Sequence, residues 1–295
     1  MTLRPFLAGL LALILSACGG DRAAEDATRS GGAPPIWQIA GEDDRIEGWL
    51  FGTVHALPDN VRWGSPMLDS VLSDADTLVV EVANLDDGVA LGELFAQMAV
   101  DPASPPLEGR VDPELRPHYQ ELLTKAKVRR DHFDALESWA AALSLANVAQ
   151  DAKTENGVDR LLIARFTGRE IVELEGAKAQ LGIFDRLPEV EQRDLLNAVI
   201  AESRDSEMES GSLAETWRSG DLDKLAALST RGILSDPELY DALLAQRNRN
   251  WTAQIENLLS ARERPFIAVG AGHVVGPDGL PAMLEARGFK VKRIQ

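Results

Sequence analysis

The spacing of apolar positions changes along the chain, and each change marks an element. Two short strand-like runs, residues 36–40 and 45–52, flank the polar turn Gly41-Glu42-Asp43-Asp44, the pattern of a hairpin. A helix around residues 65–72 and the β-branched run 77–82 come next. From about residue 88 to 164 the periodicity is helical. It is clearest over 133–149, where Phe133, Leu136, Ala140, Leu143 and Ala146 share one stripe. A short strand over 170–175 interrupts the helices, which then resume to residue 261. The last of them opens with Asp236 as N-cap and Pro237 at its first position, a residue pair suited to a helix start. The chain closes with a strand (265–269), a loop, a helix (280–286, Gly288 just beyond) and a strand (289–294). Strands at both ends of a helical middle predict an α/β (α+β) domain, its central sheet formed by N- and C-terminal strands. No Pro/Gly-rich linker follows Ile36, so residues 36–295 are expected to form one domain.

The first 35 residues do not share this patterning. Arg4 followed by the run 5–15, apolar apart from Gly9, falls short of the ~20 residues a membrane span needs but suits an export signal. Small residues lead into the only cysteine, Leu15-Ser16-Ala17-Cys18, which resembles a bacterial lipobox. Residues 1–17 are therefore expected to be a lipoprotein signal peptide. Residues 18–35, rich in Gly, Ala and charge, are expected to be a flexible tether carrying lipid on Cys18. Gly19 follows the cysteine in place of an aspartate that would favour the inner membrane, so the expected location is the outer membrane, facing the periplasm.

Composition narrows the chemistry. At 295 residues and 45% hydrophobic the chain can bury a sizeable core. A net charge of −17 argues against nucleic acid, because phosphate backbones are bound by clustered Lys and Arg. A single cysteine excludes an internal disulfide framework and a Cys-rich zinc site. With only four histidines, each can be weighed singly.

His55 lies in Gly52-Thr53-Val54-His55, and His273 in Gly270-Ala271-Gly272-His273; each follows an apolar strand and precedes a Pro-Asp pair. A histidine just past a strand projects at the sheet's carboxyl edge, where open sheets place ligands. Glu81 lies inside Leu78-Val79-Val80-Glu81-Val82, where a carboxylate needs a cation or donors to offset its burial. Arg247 falls on the apolar stripe Tyr240, Leu244, Trp251, Ile255, Leu258. A guanidinium there needs an anionic partner unless it reaches solvent. Glu173 and Glu175 share a strand face, Asp159 and Arg160 suit a helix-end salt bridge, and His118 and His132 lie in charged, solvated surroundings. Gly270-x-Gly272-x-x-x-Gly276 is not a nucleotide loop, because only 19 residues follow Gly276.

At these positions the chain resembles the TraB/GumN family, related to the Tiki metalloproteases and more distantly to erythromycin esterases and the haem-binding lipoprotein ChaN. The resemblance rests on residues 51–58, Val80-Glu81, Gly157-Val158-Asp159, Leu174-Glu175 with Gln180, Arg247-Asn248 and residues 269–280. It implies an α/β core in which His55, Glu81, Arg247 and His273 converge in one cleft. It also implies a hydrolase, with His55, Glu81 and His273 holding a divalent ion (Zn, Mn or Co) in the peptidase branch, or a histidine acting as base without metal in the esterase branch. The alternative is a lipoprotein that binds haem, iron or another ligand without turnover.

Overall fold

The computed structural model describes residues 32–295 apart from 60, 150–152, 210–211 and 262. The signal segment, Cys18 and the tether as far as residue 31 lie outside the described residues. Packing begins just upstream of Ile36, where Pro34 and Pro35 are buried and the Pro34 carbonyl accepts from Gln295 Nε2 at 2.8 Å.

One six-stranded sheet organises the domain, built from β1 (Ile36–Ala40), β2 (Ile46–Thr53), β3 (Thr77–Val80), β4 (Glu170–Glu173), β5 (Pro265–Gly270) and β6 (Lys290–Arg293). Their spatial order is β4-β3-β5-β2-β1-β6. β1 pairs antiparallel with β2 and β6, whereas β2, β5, β3 and β4 run parallel. The expected sheet of N- and C-terminal strands is therefore present, with the short middle strand β4 at one edge. Buried parallel strands read as unbroken apolar runs, and β3 (TLVV) and β5 (PFIAVG) are buried throughout. The edge strands β4 and β6 are charged and partly exposed, which discourages edge-to-edge association.

Two apolar cores result. The first packs the sheet against α1 (Pro66–Asp74), α5 (Val158–Arg165), α8 (Ser212–Ser219), α11 (Gln246–Ser260) and α12 (Leu280–Ala286), through residues such as Leu68, Leu162, Trp217, Trp251 and Leu284. The second is all-helical. It joins α2 (Gly88–Ala99), α3 (Arg116–Ala126), α4 (Ser138–Ala149), α6 (Ala177–Asp185) and α7 (Glu189–Glu209) around Phe95, Tyr119, Trp139, Phe184 and Leu196. Between α7 and α11 lie α8, the short α9 (Leu222–Leu228) and α10 (Pro237–Tyr240).

Two predicted helices differ from the sequence expectation. The helix over 133–149 begins only at Ser138. The guanidinium of Arg110 takes the carbonyls of Asp134 (3.1 Å) and Leu136 (2.7 Å), so that segment spends its acceptors outside a helix. The helix from Pro237 forms as α10, with Asp236 capping it, then continues through a π-helical turn over Asp241–Ala245 into α11. The wider turn shifts the phase of the segment ahead of it, so that Leu239 is buried and Tyr240 lies at the margin. The stripe then runs through Leu243, Leu244, Arg247, Trp251, Ile255 and Leu259, with Leu258 also at the margin.

Candidate functional site

Parallel pairing decides where the site lies. Thr53 pairs with Gly270, and Val80 with Ala268, so β2, β5 and β3 end side by side. The residues just past them, His55, His273 and Glu81, emerge at one carboxyl edge. Glu175, two residues past β4, joins them from the neighbouring strand. Arg247 enters from α11, two residues after the π turn, an irregularity frequent at functional sites.

His55 is oriented by Asp159. Its Nδ1 lies 2.7 Å from Asp159 Oδ2, and Thr53 Oγ1 donates to Asp159 Oδ1 at 2.6 Å. Both side chains of the ion pair are largely buried, at 16% and 9% exposure. Burial disfavours the charged ring, but the Asp159 carboxylate outweighs it and pushes the imidazole up to about 9. His55 is therefore a cation at neutral pH, with Nδ1–H committed to Asp159 and Nε2–H directed away from it. The expected Asp159–Arg160 salt bridge does not form. Asp159 serves His55, while Arg160 pairs with Asp86 at 2.5 Å.

His273 is treated in the opposite way. The amide of Asn248 donates to the carbonyls of Asp278 (2.7 Å) and His273 (3.3 Å), which turns its Oδ1 toward His273 Nδ1 at 2.7 Å. His273 must then carry its proton on Nδ1, leaving Nε2 to accept from Arg247 Nη1 at 3.1 Å. Burial, followed by the adjacent guanidinium, pushes this imidazole down to about 3, so it stays neutral. Trp251 packs on its ring, with centroids 4.5 Å apart.

Arg247 ties the cluster together, and every one of its N–H groups has an acceptor. Nε and Nη2 hold Glu175 at 3.0 and 2.9 Å, Nη2 also holds Glu81 Oε2 at 2.6 Å, and Nη1 reaches the Leu243 carbonyl at 3.1 Å as well as His273. Its face lies over Trp251, 4.5 Å from the ring centroid. Glu81 is anchored three ways, accepting also from the Gly270 amide (2.8 Å) and Gln180 Nε2 (2.9 Å). Burial would raise its carboxyl, but the Arg247 charge and the other donors hold it down at about 2.

The two motif glycines serve close approach rather than a left-handed turn; Gly270 has φ −50. A Cβ on Gly270 would stand 3.2 Å from His55 Nε2 and 3.3 Å from Glu81 Oε1. One on Gly52 would meet Val274 at 2.8 Å and the Ala271 backbone at 3.2 Å. Each Gly-x-x-His turn thus leaves room for the other, and the bare edge of Gly270 is where His55 and Glu81 face a common point.

The predicted metal ligands do not fit as one set. His273 spends both ring nitrogens on hydrogen bonds, and a cation at Nε2 would face a saturated guanidinium at 3.1 Å. Among the described residues, ligand atoms all within 4.8 Å of one another occur in a different group, Glu191, Asp236 and Glu238. That acidic cluster could coordinate a divalent ion, and it lies where α7 and α10 begin, apart from the histidines. The other candidates are peripheral. Glu173 accepts from the Ala83 amide, His118 pairs with Glu121 at 3.2 Å on an exposed face, and His132 packs edge-on against Phe133.

Residue pattern alone pointed to His55, Glu81, Arg247 and His273, and the structure brings all four together. The positioning roles of Thr53, Asp159 and Asn248 were not evident from spacing. Their signal was adjacency to a motif residue: Thr53 inside the first Gly-x-x-His, Asn248 beside Arg247, and Asp159 in Gly157-Val158-Asp159, where a Cβ on Gly157 would lie 2.4 Å from the His55 carbonyl. No helix among the described residues is long and apolar enough to cross a membrane. No curated protein and no solved structure matches the chain. Residues 35–293, spanning all six strands and the whole site, match the TraB/PrgY/gumN family, and the chain belongs to that family.

Proposed function

We propose that this chain is a hydrolase of peptide or ester bonds in which His55 is the proton-transfer group. The observation that supports this most is the Asp159–His55 pair, whose free Nε2–H faces Glu81 across Gly270. A histidine held charged at neutral pH acts as an acid: it can protonate the leaving group or donate to the oxygen of a developing tetrahedral species. Glu81, held near 2, is a weak base. Its contribution is to orient the attacking water and to accept the proton that water loses as the C–O or C–N bond breaks. Passing that proton to His55 restores the starting state. The reaction so written uses protein groups alone, because the donor set around His273 is occupied by Arg247 and Asn248.

The test is turnover of a panel of chromogenic peptide and ester substrates. His55→Ala should lose about 10²–10⁴-fold in rate, and dialysis against a chelator should leave the wild-type rate unchanged. Full activity of His55→Ala on every substrate cleaved by wild type would overturn the assignment. Stoichiometric metal that disappears in a His55→Ala/His273→Ala double variant would overturn its metal-independence.

Anchorage belongs to the same proposal. Lipid on Cys18 would hold the domain on the periplasmic side of the outer membrane, tethered by residues 19–31. Cys18→Ala should then leave the protein uncleaved and outside the lipid-labelled fraction; unchanged lipid labelling would refute it.

A further inference from the structure

The saturation of Arg247 has a chemical implication, because a substrate can reach that guanidinium only if an existing partner gives way. Its two carboxylates are not equivalent. Glu81 has three anchors and lies inside the site, whereas among the described residues the Glu175 side chain is hydrogen-bonded to Arg247 alone. Glu175 also lines a cavity of about 470 Å³ between α6 and α11, and Arg247 and Trp251 form part of the same wall.

The cavity has more cationic and donor capacity than Glu175 satisfies. Arg186 lies at its edge, exposed, with its guanidinium laid across the bare backbone of Gly182, where a Cβ would be 2.7 Å from Nη1. It makes no ion pair among the described residues. Trp251, wholly buried, has an indole Nε1–H with no acceptor among them. Gln246 and Asn250 add carboxamides to the same wall. Two guanidinium groups lining one cavity, with Glu175 as the one carboxylate among its lining residues, form a site for a second carboxylate. Exchange for Glu175 leaves the charge on Arg247 balanced, which avoids the cost of an unpaired buried ion.

We propose that this cavity binds a free carboxylate of the substrate between Arg186 and Arg247, and that Glu175 is the internal carboxylate that holds the place until it arrives. The inference rests on the hydrolase reading for the word substrate, but the binding itself does not. The substrate class is thereby a molecule ending in a carboxylate, whether a peptide with a free C-terminus or a small organic acid.

Binding can be read without turnover, by calorimetry on the full chain titrated with an N-acetylated dipeptide acid, its C-terminal amide, and acetate. The acid should bind at least ~10-fold tighter than the amide, the discrimination expected of a charge-assisted hydrogen bond. Arg186→Gln, on an exposed position, should weaken the acid by roughly the same factor. Glu175→Gln, which removes the competing anion but keeps the shape, should strengthen it. Acetate binding as well as the dipeptide acid assigns the small acid; the dipeptide acid alone assigns the peptide terminus. Equal binding of acid and amide, no binding of either, indifference to Arg186→Gln, or weaker binding to Glu175→Gln would each overturn the proposal. His55→Ala should bind the acid like wild type, so loss of binding and loss of the hydrolase reading are told apart.

Discussion

His55 and His273 each stand three residues after a glycine at the end of a parallel strand, in the same four-residue motif. One is held as a cation, up to about 9, and the other as a neutral ring, down to about 3. The difference lies in what faces the second nitrogen. His55 meets the carboxylate of Asp159, which rewards a proton, whereas His273 meets the guanidinium of Arg247, which repels one. Asn248 completes the contrast by fixing the remaining proton of His273 on Nδ1. A repeated motif therefore places two imidazoles at one edge, and the partners brought by α5 and α11 divide them into a charged ring and a neutral acceptor.

The division can be tested at its hinge. Arg247→Met should have the largest effect, because it leaves Glu81 and Glu175 buried without their counter-charge. A loss of about 3–5 kcal/mol is expected from breaking such a pair, read by urea denaturation, and the His273 ring should then titrate closer to its ordinary value by NMR. A stability change under ~1 kcal/mol would mean that the cluster is more hydrated than its burial indicates.

Swapping the two histidines for alanine separates rate from stability. His55→Ala should cost turnover, as above, and should lower the thermal midpoint mainly below about pH 6.5, where the charged ring pairs with Asp159. His273→Ala should affect turnover less and cost about 1–3 kcal/mol at all pH values above its titration, because it leaves one N–H of Arg247 Nη1 and Asn248 Oδ1 without their partner. Equal effects of the two variants on both readouts would erase the distinction.

The smallest effect expected is on pH dependence, and it discriminates the two rings most sharply. His55 has a folded value near 9, above its ordinary 6.5. Its contribution is present below about pH 6.5 and is lost as pH rises through 9. His273 has a folded value near 3, so stability falls as pH drops below 6.5, and Glu81 adds to that loss as pH falls from 4.5 through 2. The thermal midpoint should thus peak near neutral pH. Asp159→Asn removes the group that raises His55 and should flatten the alkaline limb alone, leaving the acid limb unchanged. An alkaline limb that persists in Asp159→Asn would place its origin elsewhere.

Much of this architecture was legible in residue order. β1 was predicted at its observed ends, and the four central site residues stood out because each breaks an apolar pattern: two histidines after strands, a glutamate beside a buried strand, an arginine in a buried stripe. The late start of α4 at Ser138 was not legible, since it depends on Arg110 claiming two carbonyls some 25 residues away in sequence. The π turn before Arg247 was hidden for a related reason. A one-residue insertion leaves the spacing within each flanking segment unchanged while altering the phase between them, so that Leu239, rather than Tyr240, joins Trp251 and Ile255 in the core.

The sequence by itself determined the class of fold, the family pattern and which side chains were candidates, because each of them interrupts an apolar run. Parallel pairing in the folded sheet is what carries the residues after β2, β3 and β5 to one edge. Only the tertiary structure decided what those side chains are when they arrive. Protonation depends on the nearest charge through a poorly screened interior, and those charges, Asp159 for one histidine and Arg247 for the other, come from helices 104 and 26 residues distant along the chain.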